Sequence, residues 1–417
     1  MNVWEWKKSI NVYRSHLIHM LRKNANYSLE NVAMDLSISK TTLFQLEKGT
    51  QIINDKAFEK ILDYYQVPFD ADINRLGEVK EKIRSFCDAL YERKELITQQ
   101  LQPTMKDRLD YGVFHEQLLE FLVNSTFPDK DPKKKKRYLE FIMENQEVYD
   151  PYELALFYCV TGHQQIWDPK GKEAKQFLLE AFRLAGQIHC RKIESLALLW
   201  LGQVSIGESE CLEGLRLTQK AKMLFLEENQ FNRILDADIQ IACFLGKMNA
   251  YREATEVLER IEKNTGYPVN EVIDQRIWLA FQQNEIEKAC ELIKKYRTEE
   301  TALKGNFSLL PLGYFLMGDF EKSAIELQKL MPKANDSWIK ASFILVEDLI
   351  RNRRKNIQRT LKTLRHQSVL CGRQDIYRFF LGCVIEFRYQ TLNDSDTEAM
   401  KELIEWQREW KSISDNS

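Results

Sequence analysis

SLENVAMDLSISKTTLFQLEKG, residues Ser28 to Gly49, is the stretch that decides how the amino-terminal part folds. Ser28 offers a hydroxyl to open a short helix, and Asn31, Val32, Ala33 and Leu36 follow at helical spacing. A tight break at Ser37-Ile38 comes next. Ser39 then caps a further helix whose Leu43 and Leu46 point inward, and Gly49 marks its end, since glycine best tolerates the left-handed conformation after a helix. Upstream, Ile10, Tyr13, Leu17 and Leu21 share one face of a preceding helix. Downstream, Phe58, Ile61, Leu62 and Tyr65 do the same for a helix around Asp55 to Tyr65. Two helices of about seven residues joined by a three-residue turn form a helix-turn-helix, whose second helix enters a major groove.

These residues resemble the XRE/Cro family of phage-repressor-like DNA-binding domains. The cap, Ala33, Ile38, Ser39, Leu43, Leu46, Glu47 and Gly49 all stand in register with that pattern, over residues 9 to 66. The resemblance implies that Lys40, Thr41, Phe44 and Gln45 face base edges, with Ser39, Thr42, Lys48 and Thr50 close to backbone phosphates. It also implies a structural ion pair, Arg22 with Glu47. The chemistry fits: Gln bonds an adenine edge bidentately, Lys donates to guanine, and a Thr methyl meets a thymine methyl. Phe44 has two readings, a thymine methyl contact or packing against a neighbouring helix, and packing is preferred. Two positions depart from the pattern. Ser37 stands where a turn glycine is usual, which leaves the turn geometry open, and Leu29 replaces a phosphate-bonding residue. Residues 1 to 50 hold seven Lys/Arg and four Asp/Glu, so one copy is expected to bind DNA weakly at physiological salt and a dimer to double the patch.

From about residue 112 the chain alternates helices with short polar breaks. AYREATEVLERI from Ala250, EIEKACELIKKY from Glu285 and DFEKSAIELQKL from Asp319 superpose. Tyr251, Ile286 and Phe320 are spaced by 35 and 34, and Ala254, Ala289 and Ser323 repeat that spacing. A small residue where helices cross, at a period of 34, is the tetratricopeptide signature. Ala174, Gly214 and Ala254 give a looser period of 40. Seven or eight helix pairs fit before the end. Residues 75 to 101, with Leu76, Val79, Ile83, Phe86, Leu90 and Leu96, read as one connecting amphipathic helix. The expected fold is therefore all-α: an N-terminal helix-turn-helix domain (1–70), a connecting helix and linker (71–111), and a right-handed superhelix of tetratricopeptide-like pairs (112–417). The final stripe of Leu403, Trp406 and Trp410 either caps the stack or joins two subunits, and capping is the preferred reading.

This combination resembles the RRNPP class of bacterial peptide-pheromone receptors, especially its Rgg-like and PlcR-like transcription regulators. The resemblance implies a homodimer that binds double-stranded promoter DNA and holds a short signalling peptide in a concave groove. Taking the first helix of each pair as inward-facing, Asp236, Gln240 and Lys247, and then Asp274, Gln275, Trp278 and Gln282, are expected on the peptide face, with Trp278 as a pocket floor. The alternative is a tetratricopeptide scaffold tethered to DNA with no peptide effector.

Composition agrees with this outline. Only 16 glycines and 9 prolines among 417 residues leave turns scarce, and 44% hydrophobic residues supply a sizeable core. A formal net charge of -2 excludes a wholly basic nucleic-acid coat, so DNA contacts must come from a local patch. No run is long enough for a membrane span, the start has no signal-peptide character, and eight scattered cysteines suit a reducing compartment, so a cytoplasmic location without membrane partners is expected. KKKKR at Lys133 to Arg137 opens a helix and reads as solvated surface. His163 and His189 lack partners at metal-ligand spacing, and no catalytic motif is present. Neither an enzyme activity nor a cofactor is expected.

Overall fold

The computed structural model describes residues 3–71, 73–93, 109–125, 132–166, 173–207, 210–266, 269–370, 374–391 and 397–415. By compactness the chain divides into two units, Met1–Thr161 with Leu179–Glu194, and Gly162–Leu178 with Ser195–Ser417.

The first unit opens with α1 (Val3–Asn24), α2 (Leu29–Asp35), α3 (Lys40–Glu47) and α4 (Asp55–Tyr65). Each of the last three starts on a capping side chain: Ser28, Ser39 and Asn54 accept the amides of Asn31, Thr42 and Ala57. Leu17 and Ile18 of α1, Val32 and Ala33 of α2, Leu43 of α3 and Phe58 of α4 are buried together in this small domain. The larger of these side chains each contribute ~1.5 to 3 kcal/mol on burial, which secures helices too short to persist alone.

The helix α5 (Asn74–Glu92) buries Val79, Ile83 and Phe86 as its periodicity predicts. It stops short of residue 101: Arg93 turns left-handed with φ 55, and residues 94–101, including Leu96, lie outside the described residues. Two short strands, β1 (Phe69–Asp70) and β2 (Leu109–Asp110), pair in parallel with Phe69 opposite Leu109. Their pairing ties the end of the helix-turn-helix to the start of α6 (Val113–Ser125). The basic run opens α7 (Pro132–Glu144) as expected, with Lys133, Lys136 and Arg137 exposed and Lys134 2.7 Å from Glu120.

The remaining helices are α8 (Pro151–Gln165), α9 (Ala174–Gln187), α10 (Arg191–Gly207), α11 (Cys211–Glu227), α12 (Phe231–Lys247), α13 (Tyr251–Thr265) and α14 (Asn270–Gln282). They continue as α15 (Ile286–Tyr296), α16 (Leu310–Leu316), α17 (Phe320–Leu330), α18 (Ser337–Ile350), α19 (Arg354–Leu370), α20 (Gln374–Thr391) and α21 (Thr397–Asp415). From α6 onward the helices of the described residues make eight successive pairs by chain order. The three superposed stretches start α13, α15 and α17, each with its first residue at the N-cap. Ala254, Ala289 and Ser323 are all fully buried at the helix crossings. The looser copy follows the same logic: a Cβ on Gly214 of α11 would overlap the Phe244 ring and come 2.9 Å from Ser205. At the chain end Leu403 and Trp406 are buried, and Arg378 lies 4.3 Å over the Trp410 ring. The last stripe thus faces its own array, in line with capping.

Candidate functional site

The exposed side of α3 carries Lys40, Thr41, Phe44 and Gln45 to solvent, while Leu43, Leu46 and Glu47 of the same helix are buried. Phe44 is 48% exposed, so its ring is not packed against a neighbouring helix as the sequence reading preferred. Lys40 Nζ stands 3.5 Å from Glu30, both well exposed, a pair weak enough to open toward a base or phosphate. Among the residues read as phosphate contacts, Lys48 and Thr50 are exposed and Thr42 half-buried. Three of their hydroxyls already serve the helix. Ser39 Oγ accepts the Thr42 amide at 3.0 Å and meets Thr42 Oγ1 at 2.8 Å, while Thr50 Oγ1 donates to the Gln45 carbonyl at 3.1 Å. A hydroxyl keeps further bonding capacity, so these positions remain open to phosphate oxygens.

The turn between α2 and α3 settles what Ser37 left open. Ser37 adopts φ 57, with its amide bonded to the Met34 carbonyl and that of Ile38 to the Ala33 carbonyl at 2.9 Å. This is the closure glycine usually provides. Gly49, with φ 66, ends α3 in the same way, the amide of Thr50 reaching the Gln45 carbonyl. Lys60 of α4 supports the first turn by donating to the Leu36 carbonyl at 2.9 Å.

Behind the exposed face, Arg22 grips Glu47 with two hydrogen bonds, 2.6 and 2.8 Å, and both residues are buried. His19 adds a third contact to Glu47 at 2.7 Å. Burial pushes the Glu47 carboxyl up, but hydrogen bonds from Arg22 and His19 outweigh it and hold the group below the usual carboxylate range. The pair fixes α3 to α1. Sequence reading missed three further supports. Asn11 Nδ2 donates to the Gly49 and Gln51 carbonyls and its Oδ1 accepts the Ile53 amide at 2.8 Å, bracing the loop after α3. Arg14 bonds the Ile53 carbonyl at 3.0 Å and Asp55 at 2.7 Å. His19 is the third. Asn11 and Ser15, polar positions one turn apart beside the apolar stripe of α1, were the available signal.

The residues expected on a peptide face lie on α12 and α14. Gln240 donates to the Leu199 carbonyl at 3.2 Å, Lys247 to the Ile206 carbonyl at 3.1 Å, and Asp236 accepts from Arg233 at 2.9 Å. Asp274 is engaged with Asn306, accepting its amide at 2.6 Å and its side chain at 2.9 Å. Trp278 is not an open floor: it is 5% exposed, and Phe379 of α20 packs edge-on against it at 5.3 Å. Gln275 is half-buried, and the Gln282 Oε1 is buried with no hydrogen-bond partner among the described residues.

No described helix is long and apolar enough to cross a membrane, and no group of three His, Cys, Asp or Glu among the described residues is placed to hold a metal ion. Residues 18–71 match the HTH_3 helix-turn-helix family. No curated protein sequence matches the chain. Solved structures do. NprR in complex with its cognate peptide NprX superposes with a TM-score of 0.56 at 14% identity, over 79% of this chain and 99% of that one. A Rap protein complexed with competence and sporulation factor gives 0.59 at 12% identity, over 81% and 98%. The apo form of RapI gives 0.52 at 16% identity, again over 81% and 98%. At these identities the likeness is one of fold. The chain therefore carries an amino-terminal helix-turn-helix domain of the XRE type and continues in tetratricopeptide-like repeats with the fold of NprR and the Rap proteins.

Proposed function

We propose that this chain is a DNA-binding transcription regulator, acting in the cytoplasm as a homodimer, whose grip on its operator is set by a short signalling peptide. Residues 1–70 are taken as the DNA-binding domain, 71–111 as the connector, and 112–417 as the part that dimerises and holds the peptide. The observation that carries the reading is the surface of α3. Four side chains able to read bases stand exposed on a helix whose opposite side is locked by the buried Arg22 and Glu47 pair. In a dimer the two α3 helices would enter successive major grooves ~34 Å apart. Support for a peptide effector comes from the fold shared with NprR, which is solved in complex with its cognate peptide NprX. Gln275, half-buried on α14, is taken as a position able to bond a peptide backbone.

The test is a binding titration on duplexes selected from random DNA. Gln45→Ala is expected to weaken the selected site by ~1 to 3 kcal/mol and to relax the preference at one base pair. Equal weakening on selected and scrambled duplexes would show that α3 does not read bases.

A further inference from the structure

The face that contains Trp278 is closed by the chain's own α20, because Phe379 packs on Trp278 at 5.3 Å and on Phe281 at 5.8 Å. Open volume lies next to it instead. A cleft of about 1010 Å³ runs between the α14–α15 turn, the α16–α17 turn and the last turns of α20. That is at the upper end of the ~300 to 1,000 Å³ typical of small-ligand sites, room enough for several residues of a peptide. Its floor is aromatic: Phe315, Phe320 and Phe387, with Phe320 45% exposed although it packs 5.5 Å from Phe315. The rim is acidic, with Glu285, Glu287 and Glu386 set against Lys288 alone. Lys288 is already paired with Glu285 at 2.6 Å, and among the described residues neither Glu287 nor Glu386 makes an ion pair. Asn284 and Gln390 put exposed amide groups beside the floor, the chemistry that bonds an extended backbone.

We infer that this cleft takes a short peptide in which a bulky apolar side chain adjoins a basic one. The aromatic floor buries the apolar group, and the two unpaired carboxylates receive the cation. The inference rests on the peptide-receptor reading above and assigns that peptide's anchoring end.

The experiment is affinity selection from a synthetic random heptapeptide library on the full-length chain, with eluted peptides sequenced by mass spectrometry. The wild-type chain is expected to enrich Lys or Arg next to Phe, Leu or Ile. Glu287 and Glu386 are both exposed, so Glu287→Lys/Glu386→Lys should fold normally. It is expected to bind the wild-type winners about fivefold to tenfold more weakly and to enrich acidic peptides instead. Identical selections on both proteins, or no enrichment on either, would overturn the inference. Enrichment that survives the double charge reversal but disappears in Gln240→Ala/Gln275→Ala would place the peptide elsewhere, defeating the cleft assignment while leaving a peptide receptor. Failure of the operator titration alone would defeat DNA reading and leave the cleft standing.

Discussion

Ser37 holds a conformation that costs an L-residue roughly 1 to 2 kcal/mol relative to the right-handed region, at φ 57 with its amide bonded back into α2. The turn is preserved without glycine because the flanking caps and Lys60 over-determine it. Ser37→Gly removes that strain but loosens the unfolded chain, so a net gain of ~0.5 to 1 kcal/mol is expected in urea unfolding; a loss would mean the serine is unstrained. His163 shows a second residue-scale effect. It stacks on Trp200 at 4.1 Å, and burial, with Arg233 nearby, pushes its pKa down to about 4. The unfolded chain then binds a proton below ~6.5 that the folded chain refuses until about pH 4, so this group's stability contribution is complete above ~6.5 and lost as pH falls through that window. His163→Phe keeps the stack and should abolish up to ~3 kcal/mol of that acid loss; an unchanged pH slope would assign the loss to other groups. The residue type alone told only that His163 lacked metal partners, since the stack depends on where α10 runs.

At the scale of elements, the sequence was most legible where one position tolerates only a small side chain. Ala254, Ala289 and Ser323 marked the crossings, and the helices α13, α15 and α17 start where those stretches start. The caps Ser28 and Ser39 likewise set the starts of α2 and α3. Gly214 makes the case for the looser period. Gly214→Ala would drive a methyl into the Phe244 ring between α11 and α12, and overpacking of this kind costs ~1 to 3 kcal/mol. A thermal melt showing no loss would mean that Phe244 moves freely. One feature escaped the sequence because of distance along the chain, and a second because of where α3 faces. Trp278 looked like a groove floor because nothing local shows that α20, about a hundred residues later, supplies Phe379 to cover it. Phe44 is expected to pack against a neighbouring helix, yet its ring is 48% exposed on the outer side of α3.

At the scale of the whole molecule, the family match covers only residues 18–71, but α1 belongs to more than that domain. Tyr13 sits 5.2 Å from Tyr111 and 5.0 Å from Phe114 and donates to the Asp110 carbonyl, while His16 Nδ1 meets Asn145 Oδ1 at 2.9 Å. The helix that anchors α3 through Arg22 is thus also packed on the helices that follow the connector. Displacement of those helices would bear directly on α1 and, through the Arg22 and Glu47 pair, on α3. The decisive measurement is a pair of fluorescence titrations on the full-length chain: operator affinity with and without saturating peptide, and peptide affinity with and without saturating operator. The same factor is expected in both, between about 5-fold and 150-fold, because coupling between two binding sites is reciprocal. Operator affinity that stays constant across the peptide titration would contradict it.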